Sequence, residues 1–132
     1  MNNYQDYLKM PLALTFEEMA QIHGQMLEEL GEDEIALELY EDLLEQSRKY
    51  HDYRSNWVVW TREEKMDKDP GRSICHDTLL IKFNVLSRYL RQNGKPALWR
   101  DTLGDEKADR YVRKRVGDFA CYLIFLDAIS SR

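Results

Sequence analysis

Proline and glycine are scarce, at three and six in 132 residues. Both residues punctuate a chain, and a many-stranded sandwich needs such turn signals at short intervals. Their shortage argues against that class and favours long helices. Cysteine is rare too. Cys75 and Cys121 stand far apart and in no metal-like spacing. Two reduced, partly buried thiols are therefore expected, rather than a disulfide framework or a zinc site. Long apolar runs are missing. The longest, FACYLIFL at 119–126, has eight residues, where a membrane helix needs roughly 18. No role at a membrane is expected. The opening MNNYQDYLKMPLALTF has no basic leader, no long apolar core and no small-residue cleavage site. A cytoplasmic location is the expectation. The short signatures of phosphate loops, dinucleotide folds, serine hydrolases and dithiol redox centres are also absent.

What is present fits one globular domain. Apolar residues make up 43% and charged residues 33%, a balance that supports a core without metal or disulfide staples. The net charge of −5 conceals a split. Residues 1–69 hold 17 acids and 7 bases, while residues 70–132 hold 7 acids and 12 bases. Such polarity suits either an external partner or two halves of one chain that face each other.

Helical periodicity dominates the chain. Thr15 followed by Glu18 is a capping box. Phe16, Met19, Ala20, Ile22, His23, Met26, Leu27 and Leu30 then share one face, and Gly31 is the expected stop. A second helix starts near Asp33. Ile35, Leu39, Tyr40, Leu43, Tyr50, Tyr53 and Trp57 keep its phase. KMDKDPGRS reads as a loop turning at Pro70-Gly71. The next helix carries two apolar stripes. Leu79, Phe83, Leu86 and Leu90 form one, and Ile74, Ile81, Val85 and Tyr89 the other. A helix apolar on two sides is expected between neighbours, as the central element. The expectation is an all-α, single-domain bundle over 1–132, of four main helices, one short helix and an N-terminal arm. The arm spans 1–14. The helices span about 16–30, 33–66 with a break or kink open near 55, 73–92, 96–103 and 105–129.

Candidate chemistry is sparse. Residues 28–45 carry nine carboxylates and no base. Glu38, Glu41, Asp42 and Glu45 line one side of the second helix, and oxygen ligands of this kind suit magnesium. By helical phase, however, they lie opposite the apolar stripe, where a solvated face is expected; a catalytic metal in a bundle faces inward. His23 is expected to be a core histidine. Cys75, His76 and Asp77 are sequential neighbours and point different ways on a helix, so they make no nucleophile set. DKDPGRS opens like a calcium loop but has Gly71 one position early and Thr78 where Glu is needed. No catalytic residue, metal site or cofactor is expected.

Two segments remain for binding. YHDYRSNWVVW presents Tyr53, Trp57 and Trp60 either as a core edge or as a docking surface. RYVRKRVGDFACYLIFL puts four bases in six positions before an apolar run. Val112, Val116, Phe119, Leu123 and Leu126 face inward there by phase. Arg110, Arg113 and Lys114 face outward with Gly117 and Cys121. Arg115 flanks the apolar stripe, with an acid of the second helix as its expected partner. The leading expectation is a non-enzymatic protein that binds another protein or itself as a homodimer. The candidate binding residues are Arg110, Arg113, Lys114, Tyr53, Trp57 and Trp60. A metal-dependent nucleotide hydrolase using the acidic helix comes second. A nucleic-acid-associated regulator using the basic 110–115 segment comes third, opposed by a pI near 5.2.

Overall fold

A computed structural model describes residues 14–57, 59–104 and 110–130, apart from the side chains of 110–114 and 130. The described residues form an all-α single domain with no strand. The helices are α1 (Phe16–Leu30), α2 (Glu34–Trp57), α3 (Arg62–Gln92), the short α4 (Leu98–Leu103) and α5 (Arg110–Ser130). The apolar arm residues Tyr4, Tyr7, Leu8, Met10 and Leu12 lie outside the described residues. Leu14, at the arm's end, is buried.

Local chemistry starts each helix. Thr15 accepts from the Glu18 amide at 3.0 Å, and the Glu18 side chain accepts from the Thr15 amide at 2.9 Å. These two bonds satisfy donors that the first turn of α1 would otherwise leave open. Gly31, at φ +51°, closes α1. Asp33 accepts from the amides of Ile35 and Ala36 at the start of α2. The Tyr89 hydroxyl, from the end of α3, donates to the same carboxylate at 2.7 Å. That bond, then the backbone ones, hold the Asp33 carboxyl below the usual carboxylate range.

Three boundaries differ from the sequence reading. The break left open near 55 is present: α2 ends at Trp57, a new helix begins at Arg62, and the first does not run on towards Met66. The expected loop at KMDKDPGRS is helix, inside α3. Thr61 and Glu64 form a second capping box, which launches α3 eleven residues earlier than expected. Pro70 is tolerated within the helix, and Gly71 serves packing rather than a turn. A Cβ at 71 would stand 2.5 Å from the Tyr53 hydroxyl of α2. α4 is shorter than expected, beginning at Leu98. The expected start of the last helix at 105 lies outside the described residues.

The central helix is α2, not α3. α2 packs extensively against both α3 and α5. The core joins Met19, Ile22, Met26 and Leu30 of α1 to Leu43 and Leu44 of α2. Leu79, Phe83, Leu86 and Leu90 of α3 and Val116, Phe119 and Leu123 of α5 complete it. Phe83 touches both Trp99 and Phe119, ring against ring. The second stripe of α3 is not sandwiched. Ile74 is 67% exposed, Ile81 58% and Val85 37%, while Tyr89 turns aside to Asp33. Ile35, Phe16 and Leu27, expected inside, are also exposed.

α5 meets α2 through Gly117. A Cβ there would come within 2.6 Å of Arg54 and 2.8 Å of the Tyr50 hydroxyl. Gly117 and Cys121, placed on the outer face by phase, are buried because α2 covers that side. Arg54 donates to Asp118 at 2.7 Å, with Arg54 14% exposed and Asp118 0%. Arg48 pairs with Asp127 further along. The expected polarity is thus reversed in these pairs: α2 supplies the bases and α5 the acids. Arg115 does not find its acid on α2. Its Nε is buried without a hydrogen-bond partner among the described residues; the Glu18 carboxyl of α1, held below the usual carboxylate range first by its hydrogen bonds with Thr15, also feels the Arg115 charge.

α4 is tied to α3 by Arg91–Asp101 and Arg100–Asn84 bonds, and its start is anchored to α1 by one carboxylate. Glu29 of α1 accepts from the Trp99 indole at 2.8 Å and from the Ala97 amide at 3.0 Å. Ala97 is in the left-handed conformation at φ +47°, which costs an L-residue about 1–2 kcal/mol. Burial of Trp99 offsets that cost.

Candidate functional site

The aromatic residues of YHDYRSNWVVW converge where α2 hands over to α3. Ser55 and Asn56 donate back to the carbonyls of His51 and Asp52, and the Val59 and Trp60 amides both donate to the Asn56 carbonyl. The chain therefore folds back on itself within a few residues of Trp57. This places Trp60 edge-on to Trp57, with ring centroids 6.0 Å apart, and edge-on to Tyr53 at 6.3 Å. All three rings are only half-buried.

Two cations complete the patch. The Arg72 guanidinium stands 5.1 Å from the Trp57 ring centroid and the Lys65 ammonium 6.0 Å. Asp69 anchors Arg72 from below, accepting from Nε at 3.2 Å and from Nη2 at 2.9 Å. Lys65 and Arg72 are seven residues apart, so one face of α3 presents both. Read as a loop, 65–73 conceals this shared face. The signal that finds it is the capping pattern T-R-E-E at 61–64, the same kind that starts α1. Exposed Val59 extends the patch. The arrangement offers half-buried aromatic rings edged by Lys65 and by the Arg72–Asp69 ion pair.

The other candidates separate from it. Glu38, Glu41, Asp42 and Glu45 are all exposed on α2. Among the described residues no group of three or more His, Cys, Asp or Glu side chains can hold a metal ion. The side chains of Arg110, Arg113 and Lys114 lie outside the described residues, as does that of Val112. Cys75 is buried and accepts from the Gln46 amide at 3.2 Å. Burial pushes its thiol up, the opposite of nucleophile activation. His76 is buried edge-on against Tyr50. No described helix is long and apolar enough to cross a membrane.

His23 meets the Tyr40 hydroxyl at 3.2 Å. Burial, with the charges of Asp127 and Glu41, pushes Tyr40 up to about 12. Burial lowers the pKa of His23, and burial also lowers that of His51 against the opposing pull of Asp52. Both imidazoles protonate near 6.5 when unfolded and only at lower pH when folded. Below 6.5 the unfolded chain therefore binds more protons, and stability falls as pH drops through and beneath that value. Melting temperatures between pH 8 and 5 should decline on the acid side. His23→Gln should flatten the decline; an unchanged slope would mean His23 is not one of the groups responsible.

No family model, curated protein or solved structure matches the chain.

Proposed function

We propose that the protein acts by binding another protein through the aromatic end of the α2–α3 hairpin, without catalysing a reaction. The observation that carries this reading is the convergence of Tyr53, Trp57 and Trp60 beside Lys65 and Arg72. Large rings and an arginine held in place, half open to solvent, match the composition of interface anchors. Such rings lose little side-chain entropy on docking, because their neighbours already fix them. Lys65 at the edge favours an acidic group on the partner, while Arg72 is already paired with Asp69. The exposed acids of α2 give the hydrolase reading no comparable support.

The experiment compares the chain with Trp60→Ala and Arg72→Ala in quantitative capture from a lysate of the source cells, followed by reconstitution with the purified captured protein. A partner retained by the wild type should bind at least about tenfold more weakly to each variant, as expected for an interface anchor. Circular dichroism should give the same helicity for all three proteins. Equal retention by wild type and variants would sink the reading.

A further inference from the structure

The outer face of α3 carries an unpartnered stripe that the aromatic end does not use. Ile74, Ile81 and Val85 are exposed along it, as is Met66 near its start. The residues that bury α3 in the core, Leu79, Phe83, Leu86 and Leu90, lie on the opposite side of the helix. Nothing among the described residues covers the stripe.

Its spacing is informative. Asp67, Ile74, Ile81 and Arg88 recur at seven-residue intervals. Pro70, Thr78 and Val85 fill the positions between. A seven-residue repeat on a helix is the period at which two helices keep one seam in contact. The sequence of this seam is acid, isoleucine, isoleucine, base. Read backwards it is its own complement. Two copies of α3 packed antiparallel about a point between Asp77 and Thr78 place Ile74 of each against Ile81 of the other. The same register places Pro70 against Val85, and Asp67 of each copy against Arg88 of the other. A parallel pair in register would instead oppose Asp67 to Asp67 and Arg88 to Arg88. Asp67 and Arg88 are both exposed, and neither is ion-paired to a described residue. At 1.5 Å per residue each acid and base stands about 16 Å from the axis, so the seam runs roughly 30 Å.

We infer that the α3 stripe is a homodimer interface: two chains pair antiparallel along α3, with the isoleucines at the centre and Asp67–Arg88 ion pairs at both ends. The occupant is a second copy because the stripe complements itself, which a surface shaped for a different protein has no reason to do. A two-fold axis is the commonest symmetry of self-association, and it makes each contact occur twice. This inference goes beyond the proposed function and uses different residues, so either can fail alone.

Sedimentation equilibrium of the full chain tests it across micromolar to several hundred micromolar concentrations. The wild type should be a dimer at the upper end, and Ile81→Glu a monomer throughout. Asp67→Arg and Arg88→Asp should each weaken the dimer by about tenfold or more, since each opposes like charges at both ends. The double variant D67R/R88D should recover to near wild-type affinity, which a merely destabilised fold would not do. All these side chains are exposed in the single chain, so helicity should not change. A wild type that stays monomeric overturns the inference, as does a dimer indifferent to Ile81→Glu or charge variants without mutual rescue. Loss of partner capture in Trp60→Ala with the dimer intact would leave both readings standing. Undiminished capture with the dimer intact would remove the proposed function alone.

Discussion

Asp118→Ala should destabilise the fold by about 3–5 kcal/mol, the range for breaking a buried ion pair from one side. Asp118 is fully buried and takes a 2.7 Å hydrogen bond from Arg54. Without the carboxylate, the largely buried guanidinium keeps its charge beside Tyr50 and Gly117 but loses its 2.7 Å partner. The Tyr50 hydroxyl, 3.3 Å from Nη1, offers a dipole rather than a countercharge. Asp118→Asn preserves the volume and removes the charge, so most of the loss should persist in it. The pair itself is not a large net stabiliser, because both charges were desolvated to make it. Arg54→Met combined with Asp118→Leu should therefore recover much of the loss. Urea unfolding of the wild type and the three variants measures this, and a double variant as weak as Asp118→Ala would contradict it.

Trp99→Ala should cost a comparable amount, about 3–5 kcal/mol. The ring is fully buried against Phe83, and its loss leaves a cavity between α3 and α4. It also deprives Glu29 of its indole donor. A helix of six residues has too few bonds of its own to persist unpacked, so α4 should loosen with it. Trp99→Phe retains much of the apolar contact and should lose less, the difference reporting the hydrogen bond. Tryptophan fluorescence separates the sites: the substitution removes the buried emitter and leaves Trp57 and Trp60, which are half open to water. Stability of Trp99→Ala within about 1 kcal/mol of wild type would contradict the assigned anchor role.

Short-range chemistry was the most legible part of the sequence. Thr15 with Glu18, and Gly31, mark the ends of α1 because capping depends on a few neighbouring residues. The core face of α3 followed from its 3.6-residue period. Pro70-Gly71 misled, because a proline-glycine pair announces a turn only if nothing longer-ranged overrides it. Here the Thr61 cap starts the helix, and the crossing of Tyr53 over Gly71 gives the glycine a packing role. The α2–α5 pairing showed a different weakness. Net charge along the sequence suggested bases on α5 meeting acids on α2, yet Arg54 and Asp118 each stand against the local trend. Which individual side chain meets which depends on helix rotation in the folded chain, and composition does not encode that. At the candidate site Tyr53, Trp57 and Trp60 were legible as a dense aromatic cluster. Lys65 and Arg72 were not, since their common face exists only once 62–73 is helical.

Pro70 brings a kinetic consequence. Lacking an amide hydrogen, it leaves the Met66 carbonyl without its helical donor, so the backbone ladder of α3 is interrupted two turns from its start. The segment 62–69 can then open and close without unwinding the remainder, and its amide protons should exchange with solvent well before those of 75–90. Trp57 spans this gap from outside: Lys65 lies before the interruption, Arg72 beyond it, and both rest over the same indole. The Trp57 ring thus bridges the two sides of the interruption and ties 62–69 to the rest of α3.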